Sequence, residues 1–222
     1  DVVPVNREIT IRDLLTHTAG IGYGSGVAAD KWKEVGLQGW YFANRDETVL
    51  ETIKRIAVLP HDAQPGSQFV YGYNTDILGA LVNVVSDQSL ADFLSENILS
   101  PIGMHDTYFY LPKNKAARLA KVYNMVDQKL IRAPKEGTMQ SQGAYVNGPR
   151  KNYSGGAGLV STAMDYAKFL QMMLNGGTYN NQRILSRKSV ELMTVDHLGD
   201  VKYNWQNGMG FGLGYSISKD LG

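Results

Sequence analysis

The sequence predicts a mostly helical α+β fold with a few short strands, and three observations carry that expectation. Capping-box patterns stand at Thr10-Ile11-Arg12-Asp13, Ser89-Leu90-Ala91-Asp92 and Thr162-Ala163-Met164-Asp165, each leading into apolar residues at helical spacing. From Met209 glycine alternates with apolar residues and runs into Tyr215-Ser216-Ile217-Ser218, which reads as a strand. A length of 222 residues with 43% hydrophobic content buries a sizeable core and suits one domain, or a domain plus a fragment of a second.

Taken in order, the first capping box predicts a short helix from Ile11 to Ala19, closed by Gly20. The run Gly20-Ile21-Gly22-Tyr23-Gly24-Ser25-Gly26 invites comparison with dinucleotide-binding loops. It follows a helix where that fingerprint needs a strand, so a flexible loop is the reading. Residues 47–57 form an amphipathic helix with Val49, Leu50, Ile53, Ile56 and Ala57 inward, and Pro60 stops it. Gln64-Pro65-Gly66-Ser67 is a tight turn. Beyond it Phe69-Val70-Tyr71-Gly72-Tyr73-Asn74-Thr75-Asp76 leads into a long helix marked by Ile77, Leu78, Leu81, Val84 and Val85, with Asn74 or Thr75 as its cap.

The second box opens a helix carrying Phe93, Leu94 and Ile98 up to Pro101. Residues 112–155 are polar and turn-rich, an extended excursion with a short hairpin near Val122 to Ile131. The third box opens a helix containing Tyr166, Phe169, Leu170, Met173 and Leu174, ended by Asn175-Gly176-Gly177. Ser186 caps a last helix through Met193, and the final strand is expected to enter a sheet whose partners lie outside the chain.

Composition narrows the function classes. A net charge of +1 with interspersed signs offers no basic stripe for a phosphate backbone, so no nucleic-acid partner is expected. No apolar run is long enough for a membrane span, and Asp1-Val2-Val3-Pro4 lacks a secretory pattern. The absence of cysteine excludes disulfides and thiolate chemistry while leaving the compartment open. His17, His61, His105 and His197 lack paired spacing, so no metal or other cofactor is expected. His105-Asp106 cannot form a catalytic arm in an extended strand, where neighbours face opposite ways. Asn152-Tyr153-Ser154 is a chance match to a glycosylation acceptor. The pattern Ser216-Ile217-Ser218-Lys219 would work as a nucleophile and base only on a helix, and its surroundings are strand-like. On the residues alone, Tyr71 is one of thirteen tyrosines and reads as core or interface.

Several stretches together resemble the β-lactamase-related serine hydrolases, the penicillin-recognising superfamily of class C β-lactamases, D-alanyl-D-alanine peptidases and related esterases. Leu14-Leu15-Thr16-His17-Thr18-Ala19-Gly20-Ile21 is similar to that family's LLTHTSGL segment. Pro65-Gly66-Ser67-Gln68-Phe69-Val70-Tyr71 with Leu78-Gly79 resembles its tyrosine-motif region, and Ser100-Pro101-Ile102-Gly103-Met104-His105-Asp106-Thr107 its PLGM-x-DT segment. Gly156-Ala157-Gly158-Leu159-Val160-Ser161-Thr162 and Asn175-Gly176-Gly177 complete the series in order, over nearly the whole chain.

The resemblance implies a β-lactamase/transpeptidase-like fold, with residues 1–207 a mostly helical domain and 208–222 the start of a strand of the sheet domain. It implies acylation of a serine in an S-x-x-K motif, with lysine and tyrosine sharing proton transfers. By this comparison the chain begins after that motif, so only Tyr71 carries over as catalytic. Its hydroxyl is expected to face the serine and lysine, where an ammonium would lower its pKa. Many members read Tyr-x-Asn, whereas Tyr73 stands in the third place here and the amide follows at Asn74. Tyr73 and Asn74 are accordingly candidate substrate contacts, Asn74 equally a helix cap. A small-molecule or peptide-like substrate with an ester, amide or β-lactam carbonyl is implied, in a parent protein of the periplasm or cell envelope. The rival reading is a non-catalytic helical binding or structural module, with self-association through apolar surface that a sheet domain would cover.

Overall fold

The computed structural model describes residues 2–134 and 141–219. Thr10 closes the first capping box: its hydroxyl accepts from the Asp13 N–H and the Asp13 carboxylate accepts from the Thr10 N–H, starting helix α1 (Ile11–Leu15). The helix stops short of Ala19 because His17 turns into the left-handed region at φ 55°. From there the chain pairs with a distant segment. The N–H groups of Asp62, Gly66 and Val70 donate to the carbonyls of Gly20, Thr18 and His17 at 2.7–2.8 Å. Arg7 clamps the same corner through two bonds of 2.7 and 2.8 Å to Asp13, holding that carboxyl far below the usual range.

The glycine run after this corner is packed chain, with Ile21 buried. It leads to α2 (Ala29–Glu34), which lacks a side-chain cap at Ala28 and buries Trp32 with its indole N–H on the Pro60 carbonyl. Thr48 and Glu51 form a reciprocal box for α3 (Val49–Ile56), whose buried face is Val49, Thr52 and Ile56, while Ala57 is exposed as the C-cap. Helix α4 (Asn74–Ser86) starts from Tyr73 with no side-chain cap, so neither Asn74 nor Thr75 plays that part. Its buried residues are Asn74, Asp76, Gly79 and Ala80, whereas Val84 and Val85 are exposed. Close approach explains the small pair: a Cβ on Gly79 would press on Leu90 and on the backbone of Gly155.

Ser89 caps α5 (Leu90–Leu94), which loosens into a π-helical turn over Ser95–Leu99 before Pro101. After a 3₁₀ turn at Lys113–Arg118 comes a hairpin of β1 (Tyr123–Val126) and β2 (Lys129–Arg132), with Asp127 and Gln128 left-handed between them. A single turn, α6 (Ala144–Asn147), buries Tyr145. Thr162 caps α7 (Ala163–Leu174), and Gly176 and Gly177 at φ 63° and 89° end its course. A second hairpin, β3 (Thr178–Tyr179) with β4 (Gln182–Arg183), turns on left-handed Asn180 and Asn181. Ser186 caps α8 (Arg187–Met193). The closing strand β6 (Ser216–Ser218) pairs antiparallel with β5 (Met209–Phe211) of the same chain, so its expected outside partner is replaced on that edge by an internal one.

Among the described residues, buried side chains gather in four clusters. Leu14, Trp32, Leu37, Phe42, Ile56 and Tyr73 join α1 to α3 under the start of α4. Tyr41, Leu90, Phe109, Tyr110 and Tyr145 form a second cluster, and Ile102, Met104, Met172, Met173 and Val190 a third beneath α7 and α8. The smallest, Phe69 with Leu198 and Phe211, attaches the closing hairpin beside the tyrosine stretch.

Gly72 is the point where this stretch meets the glycine run, for a Cβ there would overlap the Ile21 carbonyl and the Gly22 backbone. Gly72→Ala is expected to cost about 1–3 kcal/mol in urea unfolding, the usual price of overpacking. Unchanged stability would show that the two segments do not meet there.

Candidate active site

Tyr71 and Tyr73 part company at the turn into α4. The Tyr71 side chain stands outward at 41% exposure, and among the described residues its hydroxyl has no hydrogen-bond partner. Its ring is nonetheless held on three sides. It stacks on the His17 imidazole at 4.3 Å between centroids, meets Tyr23 edge-on at 6.0 Å and leans on Trp205 at 4.6 Å.

Tyr73 is fully buried between Trp32 and Phe42, which lie parallel to it at 5.8 and 5.2 Å, and its hydroxyl donates to the Gly39 carbonyl at 2.6 Å. Burial pushes its phenol well above the ordinary range. Asn74 is equally enclosed: its Nδ2 lies 2.9 Å from His17 Nδ1, 3.2 Å from the Val70 carbonyl and 3.3 Å from the Ile21 carbonyl. Both expected substrate contacts are therefore corrected to interior residues. The onset of the helix turns them toward the core, where each finds polar partners that an open pocket would not supply.

Spacing in the sequence does not set His17 apart from the other three histidines, yet its ring lies beneath Tyr71 and holds Asn74. Two of the Asn74 amide's neighbours are carbonyl oxygens, which only accept, so the amide nitrogen must be the atom facing them. His17 Nδ1 then accepts as well, which places the imidazole proton on Nε2. Burial depresses the His17 pKa to about 4, so the ring is neutral at pH 7. Phe69 and Phe211 close its other sides at 5.9 and 5.5 Å. The signal available in the sequence was its place between Thr16 and Thr18, whose hydroxyls meet at 2.9 Å in the same corner.

Asp76 lies 1% exposed on the buried face of α4. Its Oδ1 accepts from Ser154 Oγ at 2.5 Å and from the Gly156 N–H at 3.2 Å, while Oδ2 has no partner among the described residues. Burial raises its pKa to about 6. The remaining sequence candidates lie apart. Ser216 meets the Tyr203 hydroxyl at 2.8 Å while Lys219 pairs with Asp196 at 2.6 Å, so that S-x-x-K does not assemble. Asp106 is taken by Lys115 and Arg118, not by His105. Asn152 is buried, with its amide on Thr52, and offers no glycosylation acceptor. Among the described residues no group of three or more His, Asp or Glu could hold a metal, and no single helix is long and apolar enough to cross a membrane.

His17 and Asp76 oppose each other in acid. As pH falls from 6.5 toward 4 the unfolded imidazole binds a proton that the folded one refuses, so stability is lost. As pH falls from about 6 toward 3.8 the folded Asp76 carboxyl binds a proton that the unfolded one refuses, so stability is gained. Asp76→Asn keeps the acceptor toward Ser154 and removes the second limb. Its stability is expected to fall, relative to the parent chain, by up to about 1.4 kcal/mol per pH unit between pH 6 and 4.5. Urea unfolding across this range checks it, and parallel curves for the two proteins would refute it.

The family model described as Beta-lactamase matches residues 2–220. Protein Rv1367c of Mycobacterium tuberculosis (strain ATCC 25618 / H37Rv) is 35% identical over 98% of this chain and 53% of its own length. The lovastatin esterase of Penicillium rubens is 26% identical over 88% of this chain and 46% of its own. The octameric penicillin-binding protein homologue from Pyrococcus abyssi superposes with a TM-score of 0.67 at 25% identity, covering 97% of this chain and 45% of that one. The chain thus spans about half the length of the relatives it matches. Its helices and short strand pairs are those of the β-lactamase/transpeptidase-like fold. With every described residue inside the matched range, the chain belongs to the beta-lactamase family of serine hydrolases.

Proposed function

We propose that this chain supplies the tyrosine arm of a site that cleaves a carboxylic ester through an acyl-enzyme, the serine and lysine coming from sequence outside it. The observation that carries this reading is the Tyr71 hydroxyl, open and unpartnered on a ring fixed by His17, Tyr23 and Trp205. In the step proposed, the serine oxygen attacks the carbonyl carbon and the ester C–O bond breaks. The serine proton passes by way of the tyrosine and lysine to the departing alcohol, and water then releases the acid. An ester is favoured over an amide or β-lactam because buried Tyr73 stands in the third place, where Tyr-x-Asn would carry its amide, and the Asn74 amide that follows is engaged inside the fold with His17. Residues 208–222 are proposed to begin the strand region of the sheet domain.

One observation favours the rival reading for the chain taken alone. Among the described residues no serine or lysine hydrogen bonds to Tyr71, so by itself the chain is a helical module that presents half a site. It also exposes Tyr166, Leu170 and Leu174 at successive four-residue steps along α7, together with Val84 and Val85 on α4.

In a longer protein that includes the S-x-x-K segment, Tyr71→Phe is expected to lower kcat on p-nitrophenyl butyrate by about 10²–10⁴-fold, the range for a positioned acid–base group. The chain alone is expected to be inert to the same ester and to a fluorophosphonate, and covalent label on Ser216 would overturn this assignment. The exposed stripe is expected to make the isolated chain self-associate, measured by sedimentation. A monodisperse monomer at high concentration would count against it.

A further inference from the structure

Trp205 is 59% exposed, whereas Trp32 is buried, and it lies against the one aromatic ring that the proposed reaction uses. Three rings lead up to it from the core. Phe211 packs on Phe69 at 5.2 Å, Phe69 meets Tyr203 at 5.0 Å and Trp205 at 5.7 Å, and Tyr203 is fixed by its hydroxyl on Ser216. The indole is thus seated on Phe69, Tyr203 and Tyr71 while more than half of the residue remains in solvent. Leaving that much tryptophan surface wet is costly unless something covers it in function. No ion pair or cation–ring contact among the described residues involves Tyr71 or Trp205, so the wall they make is uncharged.

We infer that Trp205 is the specificity-determining residue of the Tyr71 site, and that it selects esters with a flat apolar or aromatic group beside the scissile carbonyl. The inference rests on the ester-cleaving reading above. The two rings touch at 4.6 Å between centroids, so a group carried beside a carbonyl bound at the Tyr71 hydroxyl meets the exposed indole. A phenyl group there stacks on the indole, and a methyl group leaves most of it wet. Contact is by face and edge, so a planar group is preferred over a branched one of equal carbon count.

The longer protein carrying the nucleophile segment serves for the kinetic test, with parent, Trp205→Phe and Trp205→Ala compared. One series varies the acyl side, p-nitrophenyl acetate against p-nitrophenyl phenylacetate. The other varies the alcohol side, methyl butyrate against benzyl butyrate. Trp205→Ala is expected to lose about tenfold in kcat/KM on the aromatic member of one series, with its small member changed less than twofold and Trp205→Phe largely retaining the preference. Equal losses on small and aromatic esters would mean that Trp205 only supports Tyr71, and no loss would mean that the indole is covered by another part of the protein. Either result overturns the inference. A binding measurement separates its failure from that of the reaction. Phenylacetate, but not acetate, is expected to quench tryptophan emission of this chain, and Trp205→Phe to abolish the quench. Quenching without turnover of any ester would keep the aromatic subsite and discard the ester chemistry. Absence of quenching in the parent chain would discard the subsite.

Discussion

The bond between Asn74 Nδ2 and His17 Nδ1, 2.9 Å long and wholly buried, is the constraint on which the rest of this site depends. Three acceptors converge on one amide there: the imidazole and the carbonyls of Ile21 and Val70. Each comes from a different turn of chain, so one side chain ties the end of α1, the glycine run and the tyrosine stretch together. Its two N–H groups are shared among these three acceptors, so its loss would strand acceptors at this junction, at about 1–3 kcal/mol for each buried group left unpaired. The same bond holds His17 in a left-handed backbone that a residue with a Cβ adopts only under support. Tyr71 stacks on that ring, so the orientation of the outward phenol is set by an inward amide.

This arrangement explains why α4 begins without a cap. A side chain at its start that bonded its own N–H groups would be unavailable to His17, and the fold uses Asn74 for the longer-range task. Asp76, two residues on, is likewise turned inward toward Ser154 and Gly156. The first turn of α4 therefore carries polar groups on its buried side and leaves Val84 and Val85 outside at its far end. Helical periodicity assumes that apolar residues mark the inner face. Here hydrogen bonding to the loops beneath overrode that rule for one full turn.

What the sequence made legible divides along the same line. Helices with a serine or threonine cap and an acidic third residue, at Thr10, Ser89 and Thr162, start where the pattern puts them, because the capping bonds are local. The end of α1 was not legible: His17 leaves the helix to pair with Val70, more than fifty residues away. Helix α2 has no cap at Ala28 and went unread, its stability resting on burial of Trp32. The hairpin at Asp127-Gln128 was visible as a turn-rich stretch, whereas the one at Asn180-Asn181 was hidden by strands two residues long. Resemblance to a family singled out Tyr71, and composition could not have done so. Neither source could reveal that Trp205, far along the chain, lies beside it.

Motif spacing is least transferable between Tyr71 and Asn74. In an extended strand residues two apart share a face, so Tyr71 and Tyr73 would look toward the same ligand. The strand does not last that long. Gly72 lies against the backbone of Ile21 and Gly22, Tyr73 becomes the residue from which α4 begins, and its ring is carried into the Trp32–Phe42 sandwich. The amide at Asn74 is therefore no displaced copy of a Tyr-x-Asn asparagine, because it sits past the turn and faces the core. A substrate amide meeting this surface finds aromatic rings and one phenol, with the Asn74 amide already engaged beneath them. On the reading proposed above, such a surface would meet a carbonyl substrate through the shape and polarity of what flanks the carbonyl, which favours an ester with an apolar neighbour over a β-lactam.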